Sequence, residues 1–414
     1  MSTERPAVTV ADFEWKRSLF LLWIAQVLSI VGFGFGLPFV PFYVQELGIT
    51  DPARLKIWYG LFVSSTGVPL AIATPVWGIL ADRIGRKPMA LRASLGGAVI
   101  LFGMGLARSP GTLLILRVFQ GFLTGTVTAY LILVVTKTPP DKTGFSIGIM
   151  NSAIFVGNTL GPLLGGMYAD RFGYRSGFFI SSGLLLSSFL ITLLLVKEDF
   201  KKPVEKTSLR SLVRDTRIFF VNRRILGIFI LIFVFAVTRT FIKPVYPLLI
   251  QELMSGKGAL ATNTGIVNAV RGLATVLAGI TVGYLIDRKK NLPLGFIIAL
   301  FAAVSYVPFV FVGSVFQMSV LVLFTGFFSG GINPMLNIYL SKRVANERKG
   351  AAFGIAGSFK SIGWAIGGMS GGFIAAAFGL RSLFILCAAF FVFIALALGR
   401  LEKANSGERK EKIG

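Results

Sequence analysis

Twelve long apolar runs occupy most of this 414-residue chain. Each is close to the roughly 20 residues that an α-helix needs to cross the hydrocarbon core of a bilayer. A composition of 54% hydrophobic and 14% charged residues excludes a soluble protein of this length. The sequence therefore predicts an all-α integral membrane protein with twelve transmembrane helices. The predicted segments lie near residues 18–45, 57–80, 92–107, 111–136, 145–168, 177–196, 225–250, 262–285, 293–313, 316–340, 351–376 and 381–399.

The basic residues are distributed unevenly between the two ends of these segments. The chain has 42 Lys and Arg against 18 Asp and Glu, a formal net charge of +24. When both termini are placed in the cytoplasm, most of the basic residues fall in cytoplasmic segments, as expected of loops beside membrane helices. The charge is then explained by topology, which excludes a nucleic acid partner and makes anionic membrane lipids the expected partners of the loops. Because the residues before Trp15 are polar, we expect no cleaved signal peptide.

The chain contains no histidine and a single cysteine, Cys387. The ordinary nitrogen and sulfur metal sites and an internal disulfide are therefore excluded. No constellation of nucleophile, acid and base suggests catalysis. We expect neither enzymatic activity nor a metal or cofactor.

The chain resembles itself when it is shifted by 205 to 207 positions. The first group of residues that recur is Pro38, Pro41, Gln45, Glu46 and Leu47, found again as Pro244, Pro247, Gln251, Glu252 and Leu253. A second group, from Gly148 to Ser176, is found again from Gly354 to Ser382. Two copies in the same orientation predict two six-helix bundles related by a pseudo-two-fold axis along the membrane normal, with a substrate site between them near the midplane.

The repeat also sets the domain boundaries. We predict a first bundle over 1–196, a cytoplasmic linker over 197–224, a second bundle over 225–400 and a cytoplasmic tail over 401–414. Within the linker, 206–217 is open to two interpretations, a short basic helix on the membrane surface or a solvated charged segment.

A short loop rich in glycine and charge connects the second and third segments. Its glycines supply turn geometry, and its basic residues mark the cytoplasmic side. The glycines and charged residues of this loop are Gly78, Asp82, Arg83, Gly85, Arg86 and Lys87, with Asp287 and Arg288 in the second copy. They resemble the G-x-L-a-D-r-x-G-r-k signature of the major facilitator superfamily, in which the loop is thought to hold the halves together on the cytoplasmic side. The resemblance makes them the candidate gating residues.

Two further motifs lie within predicted helices. Arg117, Gln120 and Gly121 in the fourth segment resemble the family's R-x-x-q-G motif, whose arginine has been tied to proton coupling. The alternative for Arg117 is a side chain that extends along its own helix to the interface. The fifth segment contains Gly157, Gly161, Pro162, Gly165 and Gly166. These residues resemble the G-x-x-x-G-P-x-x-G-G motif of drug antiporters, in which close helix packing is thought to govern the accessible conformations.

Four basic residues of the second half lie within predicted helices and have no carboxylate at a similar depth. Arg239 and Lys243 lie four apart, on one face of the seventh segment, while Arg271 and Lys360 lie midway along the eighth and eleventh. Because buried cations are costly without a partner, we expect a cavity that is positively charged on this side and that favours acidic or zwitterionic amphipaths. Other candidates for the cavity lining are Gln26, Phe33, Asn151, Asn158, Tyr246, Asn268, Asn333, Asn337 and Trp364.

Together these motifs make the chain similar, from about Trp15 to Arg400, to the drug/proton antiporter branch of the bacterial twelve-helix major facilitator proteins. The resemblance implies a multidrug efflux transporter of the bacterial cytoplasmic membrane, which exports drug-like amphipathic small molecules in exchange for protons by alternating access. We expect it to be a monomer.

One departure from that family concerns the proton. Many members carry a carboxylate in the middle of the first helix, and here 26–37 contains none. Proton coupling therefore depends on the resemblance and on Arg117, with Asp82 or Glu46 as substitute sites. Two alternatives stay open: a transporter of a specific organic anion or lipid-like metabolite, and a non-transporting membrane receptor or scaffold.

Overall fold

The computed structural model describes residues 10–198, 219–256, 258–288, 293–345 and 348–411. Twelve helices in these ranges are long and apolar enough to cross a membrane, so the predicted twelve-span architecture is confirmed. The linker segment 206–217, for which a short basic helix and a solvated charged segment are the two interpretations, lies outside the described residues. We number the spans α1 to α12 and call the side where α1 begins and α12 ends the terminal side, and the opposite side the far side.

Several spans are divided by short breaks. The bounds are α1, Val10–Gly36 and Val40–Glu46; α2, Pro52–Ser64 and Gly67–Ile84; α3, Arg86–Leu106; α4, Pro110–Leu123 and Thr126–Lys137; α5, Thr143–Phe172; α6, Tyr174–Leu195; α7, Arg223–Phe241 and Val245–Leu253; α8, Leu260–Arg288; α9, Leu294–Tyr306; α10, Val315–Gly330 and Ile332–Arg343; α11, Lys349–Phe378; and α12, Ser382–Glu411. Short 3-10 turns at Leu37–Phe39, Pro140–Lys142 and Val307–Phe311 join or flank these helices.

The breaks in α1 and α7 are equivalent in the two halves. Each lies at a proline of the repeat, Pro38 or Pro244, which lacks the backbone N–H that a continuous helix requires. The break corrects the expectation that Arg239 and Lys243 share one face of an unbroken helix. Arg239 lies in the last turn of the first part of α7, and Lys243 lies in the turn that follows Phe241.

Each half is held together by a carboxylate near the terminal side. Glu198 accepts hydrogen bonds of 2.7 and 2.8 Å from the first two backbone N–H groups of α3. In the second half, Glu402 accepts bonds of 2.7 and 3.3 Å from N–H groups in the first turn of α9. A negative charge at a helix N-terminus complements the helix dipole and satisfies N–H groups that have no partner within the helix.

At the far side, two arginines bind the opposite ends of the same helices. Arg175 donates 2.9 Å to the carbonyl oxygen of Ala107, at the end of α3. Arg381, its counterpart in the repeat, donates 2.8 and 3.1 Å to the carbonyl oxygens of Val310 and Val312, beyond α9. The pairs α3–α6 and α9–α12 are thus fixed at both ends.

The two halves touch through glycine-lined contacts near the far side. A Cβ placed on Gly265 of α8 would come within 2.3 Å of the Pro162 carbonyl oxygen in α5. The equivalent contact joins Gly60 of α2 to the Gly368 carbonyl oxygen in α11, at 2.7 Å from such a Cβ. Only glycine permits backbones to approach this closely.

Toward the terminal side the same four helices have open space beside them. Gly78 of α2, Gly148 of α5, Gly279 of α8 and Gly354 of α11 would each accommodate a Cβ with no described heavy atom of another segment within 4 Å. The halves are therefore in contact at the far side and separate toward the terminal side.

Two polar contacts complete the closed far side. Gln45 and Gln251, which are equivalent in the repeat, donate to each other's side-chain oxygen at 3.1 and 2.8 Å. Asp170, at the end of α5, accepts bonds of 3.0 and 2.6 Å from the backbone N–H groups of Ala261 and Thr262, at the start of α8.

Candidate substrate site

Five basic side chains converge in the space between the halves. Lys243 interacts electrostatically with Arg271, Arg239, Arg117 and Lys360. Arg117 belongs to α4 in the first half, whereas the other four belong to α7, α8 and α11. The structure therefore brings together all four cations predicted for the cavity and adds Arg117, which the motif resemblance assigns to coupling.

Each of these cations lies over an aromatic ring. The distances from the charged group to the ring centroid range from 5.0 Å for Arg117 over Phe62 to 5.8 Å for Lys243 over Trp364. Lys360 lies 5.1 Å from the same Trp364 ring, so two ammonium groups from different helices share one indole. The remaining pairs are Arg239 over Phe235 and Arg271 over Tyr246.

The cluster is accessible from the space between the halves. Lys243 is exposed, and the other four side chains are only half-buried. Cation–π contacts contribute about 0.5–2 kcal/mol each, less than the several kcal/mol that complete burial of an ion costs. Hydration in a cavity open to the terminal side is therefore required for five cations to remain near one another.

Arg117 points toward α2. Its guanidinium donates to the side-chain oxygen of Gln120, and its Nε is buried with no hydrogen-bond partner among the described residues. Tyr59 of α2 interacts electrostatically with Arg117 of the first half and with Arg271 of the second half, so it lies near both parts of the cluster. Gly121 lets α4 approach α2, because a Cβ there would lie 2.7 Å from the Thr66 carbonyl oxygen.

Two predicted lining residues have contacts within the cluster. Arg271 donates 2.8 Å to the side-chain oxygen of Asn268, which fixes the orientation of its guanidinium. Tyr246 is buried beneath Arg271 and packs against Phe309 and Phe384 with its ring tilted by about 50° to theirs. Together with Trp364 they form the second-half wall of the site.

No hydrogen bond or ring contact in the described part of the chain joins the other predicted lining residues to the cluster, although Asn158 lies beside Gly272, next to Arg271. Gln26 is buried, both polar atoms of its side chain lack a hydrogen-bond partner in the described part of the chain, and it lines a small pocket of the first half with Asn151. Asn158 is exposed on α5. Phe33 packs beside Gly97 of α3, inside the first bundle. Asn333 and Asn337 are half-buried on α10.

The α5 motif packs in two directions. Gly157, Gly161 and Gly165 face α1, where a Cβ on Gly165 would lie 2.2 Å from the Phe35 carbonyl oxygen. Gly166 instead faces Ala261 of α8, across the boundary between the halves. In α11, the equivalent glycines face α7 and α2 in the same manner.

The charged loop is bound within its own half. Asp82 forms a 2.6 Å ion pair with Arg86, and Lys87 donates 2.9 Å to the Leu193 carbonyl oxygen. Gly85 adopts φ +107°, which L side chains rarely adopt, and so ends α2 and begins α3. Arg83 is exposed. The Asp287 and Arg288 side chains lie outside the described part of the chain.

Sequence reasoning does not identify several residues at these contacts. Glu198 and Glu402 lie 204 positions apart, just outside the shifts that reveal the repeat, and a search with a wider tolerance would find them. In the sequence, Asp170 is an acidic residue in the loop after the fifth segment. The one signal for its contact with α8 is its position near the end of a predicted helix.

A sequence profile of the Major Facilitator Superfamily matches residues 22–242 and 228–414. The chain belongs to the Major Facilitator Superfamily. This membership confirms the predicted fold and identifies the protein as a multi-pass membrane transporter rather than an enzyme.

Two relatives of this superfamily member match almost end to end. The multidrug resistance protein MdtG of Escherichia fergusonii is 34% identical over 389 residues, which cover 94% of this chain and 95% of the relative. The MdtG of Salmonella arizonae is 33% identical over 383 residues, with coverages of 92% and 94%.

Solved structures of the superfamily share the fold at low sequence identity. A bacterial homologue of the human lysosomal transporter Spinster, in an inward-facing and occupied conformation, gives a TM-score of 0.75 at 16% identity, covering 93% of this chain and 96% of that one. The human organic anion transporter MFSD10 gives a TM-score of 0.68 at 17% identity, with coverages of 93% and 99%.

Proposed function

We propose that this protein exports amphipathic, drug-like small molecules from the cytoplasm by alternating access. The observation that carries the proposal is a cluster of basic and aromatic side chains between two halves that are in contact at the far side and separate toward the terminal side. Relatives that match over both halves are named multidrug resistance proteins, which supports drug-like compounds as substrates.

The basic loops support an orientation with the terminal side in the cytoplasm. Arg83 and Lys142 are exposed on the terminal side, where the positive-inside rule places the cytoplasm. In that orientation the cavity is open to the cytoplasm, where a compound to be exported enters. The basic loops then contact anionic lipid headgroups, and the protein acts as a monomer.

Transport is driven by proton entry in this proposal. Arg117 serves coupling through its contact with Gln120, and a carboxylate such as Glu46 or Asp82 carries the proton in place of the missing acid in α1. The loop from Gly78 to Lys87 joins the halves on the cytoplasmic side once the far side has opened, as the family resemblance implies.

The test is a reversible block of the far side. In a Cys387→Ser background, Gln45→Cys and Gln251→Cys together allow a short bifunctional thiol reagent with a reducible linker to bridge the halves. In proteoliposomes with an imposed pH gradient, we expect a dye-like substrate to be transported, cross-linking to abolish transport, and reduction to restore it. Each single-cysteine variant is the control.

Transport that continued at full rate in verifiably cross-linked protein would refute alternating access through this gate. Transport that did not depend on the pH gradient would refute proton exchange and leave the export cycle standing.

A further inference from the structure

The charge between the halves has no compensating carboxylate among the described contacts. The four groups that interact electrostatically with Lys243 are all cationic. The remaining hydrogen-bond partners described for the cluster are neutral amides, those of Gln120 and Asn268. A cluster of this kind is stabilised most by an anion that reaches it from the open side.

The cations are not part of the framework that the two halves share. The residues that build each half recur in the other, as Arg175 and Arg381 do at the far side. The five cations do not recur. The residues 206 positions from Arg117, Arg239, Lys243, Arg271 and Lys360 are Leu323, Phe33, Leu37, Ser65 and Ile154. The fold forms the same helices without them, so folding does not account for the cluster.

The aromatic rings define the rest of the ligand. Every cation lies against a ring, and Trp364 lies against two ammonium groups while remaining half-exposed itself. An amphipathic anion can place its charged head group on the ammonium and guanidinium groups and its apolar part on the adjacent rings.

We infer that the cluster formed by Arg117, Arg239, Lys243, Arg271 and Lys360 binds the anionic head group of amphipathic organic substrates, of the carboxylate, sulfonate or phosphonate type. This inference rests on the proposed export function and names its preferred substrate class. A free inorganic anion such as chloride or phosphate could bind the same cations, and the test distinguishes it from the head group of an organic substrate.

The test compares three compounds with one arylalkyl skeleton and different ends: a carboxylate, its primary amide and the corresponding amine. Uptake and apparent affinity are measured in proteoliposomes in chloride-free buffer. We expect the carboxylate to bind about tenfold more tightly than the amide, and the amine more weakly than both.

Variants then assign the preference to the cluster. Lys243→Gln and Lys360→Gln should each weaken carboxylate binding about tenfold and leave amide binding within about twofold, while Lys360→Arg should retain most of the affinity. Lys342→Gln is the matched control, because Lys342 is exposed at the terminal end of α10, outside the cluster. Circular dichroism and the unchanged amide affinity show that the variants are folded.

The outcomes are distinct. Transport of none of the three compounds, nor of a dye-like cation, would refute the proposed export function. Transport of the amine or dye with no preference for the carboxylate would overturn the anion site alone. A carboxylate preference that survives both glutamine variants would also overturn it. Competition by added chloride or phosphate, lost in Lys360→Gln, supports the anion site with an inorganic ion as a second occupant.

Discussion

Gly265 provides a direct test of how the far side closes. In the closed arrangement a Cβ on Gly265 would lie 2.3 Å from the Pro162 carbonyl oxygen and 3.2 Å from the Leu163 Cα. These are backbone atoms, which cannot rotate away. Overpacking of this kind costs about 1–3 kcal/mol, and only while the halves are in contact at the far side. Gly265→Ala should therefore shift the equilibrium toward the far-side-open state by roughly 5- to 150-fold.

The chain offers a matched control on the same helix. A Cβ on Gly279 of α8 would meet no described heavy atom of another segment within 4 Å. Gly279→Ala therefore raises the helix propensity of α8 by the same amount as Gly265→Ala, about 1 kcal/mol, without a steric clash with α5. Spin labels at Arg108→Cys and Gly313→Cys, both exposed in far-side loops, report the opening by double electron–electron resonance in a Cys387→Ser background.

We expect Gly265→Ala to lengthen the distance between the labels and Gly279→Ala to leave it unchanged. Identical distance distributions in the two variants would show that the α5–α8 glycine contact does not determine which side is open.

Three further changes test other contacts. Asp170→Asn removes the negative charge of the carboxylate that accepts hydrogen bonds from the start of α8. Because Asp170 is exposed, we expect the same spin labels to show only about a fivefold shift toward far-side opening. The control variant Asp141→Asn should show no shift. Glu402→Gln should lower the melting temperature in detergent by about 3 °C, followed by tryptophan fluorescence, because it weakens the contact with α9; an unchanged melting temperature would refute that role. Gly85→Ala should reduce the yield of folded protein, since its φ of +107° costs about 1 kcal/mol or more for alanine, whereas Gly144→Ala should not.

The spans and their duplication are predictable because length and apolar composition are properties of a single segment. The contacts between segments are not. Gln45 and Gln251 are equivalent positions in the sequence repeat, but their mutual hydrogen bonds exist only because both lie at the boundary between the halves on the closed side. The break after Phe241 has one signal in the sequence, Pro244, but the apolar segment continues on both sides of it and suggests an unbroken span.

The depth of the cations is predictable and their direction is not. Helices that are apolar nearly all round give no periodic signal for the face that turns to the cavity. Arg117 is the clearest case, since its depth is compatible with a side chain extended along α4, whereas it lies over Phe62 of α2. Phe33 is the converse, an aromatic residue at a suitable depth that packs inside the first bundle beside Gly97.

We therefore expect the residues that recur in both halves and the residues that do not recur to have different roles. Recurring residues, such as Glu198 with Glu402 and Gln45 with Gln251, form contacts within each bundle or at the far side, so we expect a change at either copy to alter the conformational equilibrium or stability for every substrate alike. Non-recurring residues, Lys243 and Lys360 above all, belong to the proposed substrate site, so we expect changes there to alter which substrate is carried while leaving the far-side contacts unaffected. Combining Gly265→Ala with Lys360→Gln tests this division. Because the two sites share no described contact, their effects on opening and on carboxylate affinity should add, and a strong coupling between them would show that the cluster itself helps to set the gate.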